Sequence, residues 1–150
     1  MDDIDRSILA VLATDGRATL STLSAASGLS TSAVQSRVQR LERSAVIRGY
    51  RAVIDQDAIG LPLTAFVEIA PLDPAAPDDA PDRLEDVDGV EACYSIAGDA
   101  SYLLLVRVPR PSDLEGLLQR IRTAANVSTR TRVVLRTYFE GRPVPPPAAV

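Results

Sequence analysis

Between residues 30 and 51 the chain concentrates side chains that make directional hydrogen bonds: Ser30, Thr31, Ser32, Gln35, Ser36, Arg37, Gln39, Arg40, Arg43, Arg48 and Arg51. On a helical wheel Val34, Val38 and Leu41 fall within about 40° of one direction, which turns Ser32, Gln35, Ser36, Gln39, Arg40 and Arg43 to the opposite side. Hydroxyls, carboxamides and guanidinium groups on one helix face are the groups that meet base edges in a major groove. By reach, Ser32, Gln35, Ser36 and Arg40 are candidates for base edges, and Arg43, Arg48 and Arg51 for the phosphate backbone. Arg37 lies at the flank, placed to reach a phosphate or to pair with an acid of its own domain. The charge distribution agrees. Thr31–Ala52 carries a net +4 and Leu61–Asp99 a net -9, within a chain whose sum is -4. A basic patch on an acidic chain implies a local contact with a polyanion. All sixteen basic residues are Arg, a planar donor suited to phosphate and guanine.

Other chemistry is thinly represented. The chain has no His and a single Cys, Cys93, so a His/Cys zinc site, an intrachain disulfide and His acid–base catalysis are excluded. The eight Gly are too scattered for a phosphate-binding loop. No catalytic residue, metal ligand or cofactor is therefore expected. Asp78, Asp79, Asp82, Glu85, Asp86 and Asp88 read as the solvated face of a short helix. No apolar run approaches the length of a membrane span, and Asp2, Asp3 and Asp5 stand where a signal peptide needs positive and apolar residues. The expected location is cytoplasmic, associated with the nucleoid.

The elements that would position these residues fall into two blocks. In the first, an Asp2 or Asp3 cap opens a helix with Ile4, Ile8, Leu9 and Leu12 at three- and four-residue spacing, ending before Asp15-Gly16. A short helix follows Thr19 with Leu20, Leu23 and Ala26 inward. After Gly28-Leu29-Ser30, a third helix capped by Ser30 runs to about Ser44. Two helices separated by such a Gly-containing turn have helix-turn-helix spacing. The second block reads β-α-β-β-α-β: strands at Leu63–Ala70, Val90–Ala97, Tyr102–Val108 and Val127–Tyr138, with helices opened by Pro81 and by a Ser112–Glu115 capping box. The fold class is α+β, an N-terminal helix-turn-helix domain joined to a C-terminal ferredoxin-like domain. The expected boundaries are 1–50 for the first, 51–61 for a hinge or linker strand, 62–140 for the second and 141–150 for a Pro-rich tail. Two short helices cover one face of a four-stranded sheet. Since the strands carry apolar residues on both parities, the other face is expected to be buried by a second subunit in a homodimer. Cys93 is expected on that contact face, as packing.

Together, Asp5-x-x-Ile8-Leu9-x-x-Leu12, Asp15-Gly16-Arg17, Gly28-Leu29-Ser30, Arg37-Val38-x-x-Leu41-Glu42 and Val46-Ile47-x-Gly49-Tyr50 resemble the DNA-binding pattern of the Lrp/AsnC, or feast/famine, transcription regulators. Ile59-Gly60-Leu61 is similar to the family's hinge, and Gly98-Asp99-x-x-Tyr102-Leu103-Leu104 to its ligand-sensing domain. The resemblance runs from Asp2 to about Tyr138. It implies a sequence-specific regulator of transcription that dimerises through the ferredoxin-like domain, assembles further into octamers and binds an amino acid or related small molecule between subunits. It places the effector at the loop Ala97, Gly98, Asp99, Ala100, Ser101 and Tyr102, where Gly98 admits a close approach and Asp99 attracts an ammonium group. Two positions depart from the pattern. Ser101 stands where the family commonly has an acid, and Ala45 where it usually has Gly, so the third helix is expected to end differently. Two further readings stay open: an oligomeric architectural DNA-binding protein with little effector response, and an amino-acid sensor without DNA activity.

Overall fold

The computed structural model describes residues 1–75 and 77–144. The chain divides into two compact units, Met1–Val53 together with the described segment from Phe139, and Ile54–Tyr138.

The N-terminal unit holds three helices, α1 (Asp3–Thr14), α2 (Leu20–Ser27) and α3 (Thr31–Arg43). Each begins at a residue with a side-chain oxygen: Asp2, Thr19 and Ser30 accept hydrogen bonds from the backbone N–H groups of Asp5, Thr22 and Ala33, satisfying donors a helix start leaves open. Ile8, Leu23 and Val34, one from each helix, are fully buried, with Ile4, Val11, Leu12, Leu29 and Val38 packed around them. Of the three residues expected inward on α2, only Leu23 is buried; Leu20 is 38% exposed and Ala26 is exposed. Eight residues make barely two turns, and a helix that short presents one full contact position to its neighbours. The turn into α3 is fixed by Gly28 at φ 72° and by the Ser24 hydroxyl, which donates to the Leu29 carbonyl.

Helix α3 ends in the left-handed turn that usually belongs to Gly. Ala45 has φ 55°, and the N–H groups of Val46 and Ile47 return to the Leu41 carbonyl. The expectation of a different ending is thus corrected: alanine takes the glycine conformation, at a steric cost of about 1 kcal/mol.

The C-terminal unit is built from β1 (Leu63–Pro71), α4 (Ala80–Leu84), β2 (Val90–Ser95), β3 (Tyr102–Val108), α5 (Pro111–Ala125) and β4 (Val127–Val133). All pairings are antiparallel in the order β2-β3-β1-β4, the ferredoxin-like arrangement expected. Ala65, Val67 and Ile69 of β1 and Tyr102, Leu104, Val106 and Val108 of β3 bury one face against Leu84, Leu114, Leu117 and Ile121. The reverse face carries Phe66, Tyr94, Leu103 and Leu105 beside Glu68, which pairs with Arg132 and, at 3.8 Å, Arg130. Phe66 is 38% and Tyr94 51% exposed.

Four local expectations are corrected. The last strand stops at Val133 rather than Tyr138. Its partner β1 begins at Leu63 after Pro62, which has no N–H to extend the ladder, and Val134 makes the final bond to the Thr64 carbonyl. Helix α5 starts at Pro111 after Arg110, without the Ser112–Glu115 capping box: Pro111 takes the first helical position, so Ser112 lies inside the helix and is not its cap. Cys93 lies opposite Leu104 and packs on the helix-covered core, not on the reverse face. A bulge between Val90 and Ala92 moves the rest of β2 by one position, and in a strand one position exchanges the faces. Residues 51–61 form no strand: 51–55 lack regular structure, and 56–60 turn on the Asp55 carboxylate, which accepts from Asp57 N at 3.0 Å and Ala58 N at 3.3 Å. Of the expected tail, 145–150 lies outside the described residues.

Candidate functional site

Helix α3 owes its two-sided character to spacing. Val34 and Leu41 are buried and Val38 packs beside them, so Ser32, Gln35, Ser36, Gln39 and Arg43 are left exposed on the far side. The hydroxyls are short and locally tied: Ser32 shares a 3.2 Å hydrogen bond with Ser30, and Ser36 donates to the Ser32 carbonyl at 3.1 Å. A surface of this kind lets a helix approach base edges closely, with the longer Gln35 and Gln39 amides offering donor and acceptor together. Thr31 is the first helical residue and exposed. Arg43, Arg48 and Arg51 are exposed and make no ion pair among the described residues, so their charge is uncompensated locally. Arg17, before α2, is likewise exposed and unpaired, a cation that the reading of the sequence left out of the set.

Arg37 and Arg40 behave differently. Both turn toward the start of α1. The Arg37 Nη1 donates to Asp2 Oδ1 at 2.9 Å, Asp2 Oδ2 at 2.7 Å and Asp5 Oδ1 at 2.9 Å, while Arg40 Nη2 donates to both Asp5 oxygens at 2.7 Å. Of the two fates open to Arg37, the structure takes the pair with an acid of its own unit. Asp5 is 1% exposed, the one buried charged residue among those described. The Asp5 N–H and the Arg37 guanidinium beside Asp2 hold the Asp2 carboxyl down at about 2. Of the two acids read in the sequence as the cap, Asp2 or Asp3, it is Asp2 that caps α1; nothing in the i, i+3 spacing of Asp2 and Asp5 disclosed that Asp5 is enclosed by α3.

The loop joining β2 to β3 brings Ala97, Gly98, Asp99, Ala100 and Ser101 together. Ser101 N–H donates to the Ile69 carbonyl and Ile96 N–H to the Ser101 carbonyl, which fixes both ends of the loop on the sheet. Gly98 sits at φ 145°, a conformation that favours glycine, with open space where a Cβ would stand. The Asp99 carboxylate is exposed and has no ion-pair partner among the described residues. Tyr102, by contrast, is buried, and its hydroxyl donates to Asp78. That bond, with burial, pushes the phenol up to about 12, so the ring anchors the loop base while its hydroxyl is occupied. Burial likewise raises the Cys93 thiol, as expected of a packed side chain. Among the described residues no group of three or more acidic or thiol side chains is placed to hold a metal ion.

Comparison with known proteins settles the family. Residues 1–42 match the model of the AsnC-type helix-turn-helix domain, and 64–144 that of the Lrp/AsnC ligand binding domain. The chain belongs to the Lrp/AsnC family. It is 58% identical to the HTH-type transcriptional regulator LrpA of Mycobacterium tuberculosis over 95% of both chains. It is 38% identical to the leucine-responsive regulatory protein of Escherichia coli over 90% of this chain and 85% of that one. Among solved structures, a feast or famine regulatory protein from M. tuberculosis, complexed with L-methionine, superposes with a TM-score of 0.94 at 58% identity, covering 97% of this chain and 99% of that one. The protein is thus a helix-turn-helix transcriptional regulator of the Lrp/AsnC family. Among the described residues no helix is long and apolar enough to cross a membrane.

Proposed function

We propose that this Lrp/AsnC regulator inserts α3 into the major groove of duplex DNA, with Ser32, Gln35, Ser36 and Gln39 at base edges and Arg43, Arg48 and Arg51 over phosphates. The observation that carries the reading is the division of charge along one helix. The arginines facing α1 are neutralised within the unit, and those facing away are not. Ser30 and Thr31, at the helix start, lie where backbone N–H groups and short hydroxyls favour a phosphate. The functional division follows 1–50 for DNA contact, 51–61 as hinge, 62–140 for dimerisation and sensing, and a tail from 141.

An amino acid is the proposed effector, held by the loop Ala97 to Tyr102, with the exposed Asp99 carboxylate facing its ammonium group and the tied Tyr102 fixing the loop. The L-methionine complex of the M. tuberculosis relative supports this class of ligand. A second subunit covers the apolar reverse face of the sheet. Further assembly to an octamer, and a place in the cytoplasm at the nucleoid, belong to the same proposal. Two-fold symmetry then requires half-sites about one helical turn, or a multiple of it, apart.

Selection from random duplex DNA tests the reading. The wild-type chain is expected to enrich a two-fold motif, Gln39→Ala to lose about 1–3 kcal/mol of preference at one symmetric position, and Arg43→Ala to weaken all sequences alike, lowering the salt slope by about 1. Salt-sensitive binding without a motif would make the protein architectural. No binding would leave a sensor alone.

A further inference from the structure

The cluster at the start of α1 does more than cap a helix. Asp5 accepts Arg40 Nη2 with both oxygens, accepts Arg37 with one of them and receives the Asp2 N–H at 3.2 Å, so its carboxylate is saturated and immobile. Arg40 is held by Nη2 alone; its Nε and Nη1 have no partner among the described residues, and its side chain is 54% exposed. It stands one turn beyond Ser36 on the shoulder of the exposed face of α3. A guanidinium fixed at one end presents its remaining donors in one orientation, without the rotamer loss a free Arg suffers on binding.

We propose that Asp5 is a positioning residue for DNA recognition: from its buried place on α1 it holds Arg40 so that the free N–H groups face a base edge at the rim of the α3 surface. The proposal rests on the DNA-contact reading above. It makes Asp5, which cannot touch DNA, a determinant of which sequence is preferred. Asp2, which bonds Arg37 and not Arg40, has no such role.

The full-length protein, its Asp5→Asn variant and its Asp2→Ala variant are compared on the operator selected by the wild type and on a random duplex, across a salt series. Asp5→Asn keeps the shape of the side chain but removes its charge. It is expected to reduce discrimination between operator and random DNA about tenfold, while binding to the random duplex is unchanged or stronger, since a negative charge near the phosphates is gone. Asp2→Ala should leave discrimination unchanged. A purely structural role for Asp5 would weaken both duplexes in parallel and would overturn the proposal, as would tighter operator binding with the same motif, which would make Asp5 a competitor for Arg40. If Asp5→Asn does not fold, Arg40→Lys carries the test. A lysine keeps the charge without the planar donor set, so discrimination should fall at an unchanged salt slope, and unchanged discrimination overturns the proposal. A wild type that selects no motif removes the base-edge reading, and this inference with it.

Discussion

The two units solve the same problem with different means. The C-terminal unit closes a sheet of four strands over a broad apolar core in which Val67, Leu104, Val106, Leu117 and Ile121 are all fully buried, and it encloses no charged residue among those described. Among its described residues the N-terminal unit buries Ile8, Leu23, Val34 and Leu41, and beside them Asp5 bound to two arginines. In so small a helical unit, removing either arginine would leave the buried Asp5 carboxylate short of a partner, a costly state, so these ion pairs are tied to the fold. The lesson is about coupling. In the N-terminal unit, cations of the recognition helix also hold the fold together, so sequence preference and stability cannot vary independently. In the C-terminal unit, the β2–β3 loop and the reverse face lie outside the core that stabilises it.

The sharpest way to break this contrast is Leu117→Ala. It removes a fully buried side chain of α5 and should lower the stability of the C-terminal unit by about 2–5 kcal/mol, read by denaturant unfolding. A loss below about 1 kcal/mol would mean that the larger core is loosely packed and the comparison misconceived. Ala45→Gly should act in the opposite direction on the other unit. Relief of the left-handed conformation at the end of α3 is expected to stabilise by about 1 kcal/mol, seen as a higher melting temperature, and a lower one would sink the account of that turn.

The smallest effects lie at the extremes of pH, and they separate the units. The Asp2 carboxyl is held at about 2, below its ordinary 3.8, by the Asp5 N–H and then by Arg37. Its contribution is therefore fully present above pH 4 and is lost as pH falls toward 2. The Tyr102 phenol is pushed from 10.0 to about 12 by its bond to the Asp78 carboxylate and by burial, so its contribution is present below pH 10 and is lost as pH rises toward 12. Residue-resolved NMR titration should show the α1 cap loosening first in acid and the base of the β2–β3 loop first in alkali. Simultaneous loss in both units at either extreme would contradict local control.

The starts of α1, α2 and α3, the sheet order and the exposed face of α3 were legible in the chain because each depends on short-range spacing: an oxygen before an apolar period, alternation along a strand, three- and four-residue recurrence. The misplacements share another cause. Cys93 changed faces because a bulge in β2 is set by its pairing with β3. The last strand was overextended because its length depends on where β1 begins, sixty residues earlier. The Ser112–Glu115 box does not form because Pro111 starts the helix one residue earlier and places Ser112 inside it. Of the recognition face, Ser32, Gln35, Ser36, Gln39, Arg40 and Arg43 all stand exposed as their spacing required, and Arg40 also reaches back to Asp5 of α1.

What the amino-acid order determined by itself was therefore the periodic part: three capped helices, a β-α-β-β-α-β series, a basic segment against an acidic one, and the residue patterns that mark the family. Only the tertiary structure decided which cations are free. Spacing put Arg37 at the flank of α3 and Arg40 and Arg43 on its far side, and left open whether Arg37 meets a phosphate or an acid of its own unit. Their charges are sorted by the approach of α1, which brings two carboxylates more than thirty positions away within hydrogen-bonding distance of the first two and leaves the third to solvent. Pairing between distant segments depends on how helices pack, and no local pattern records it.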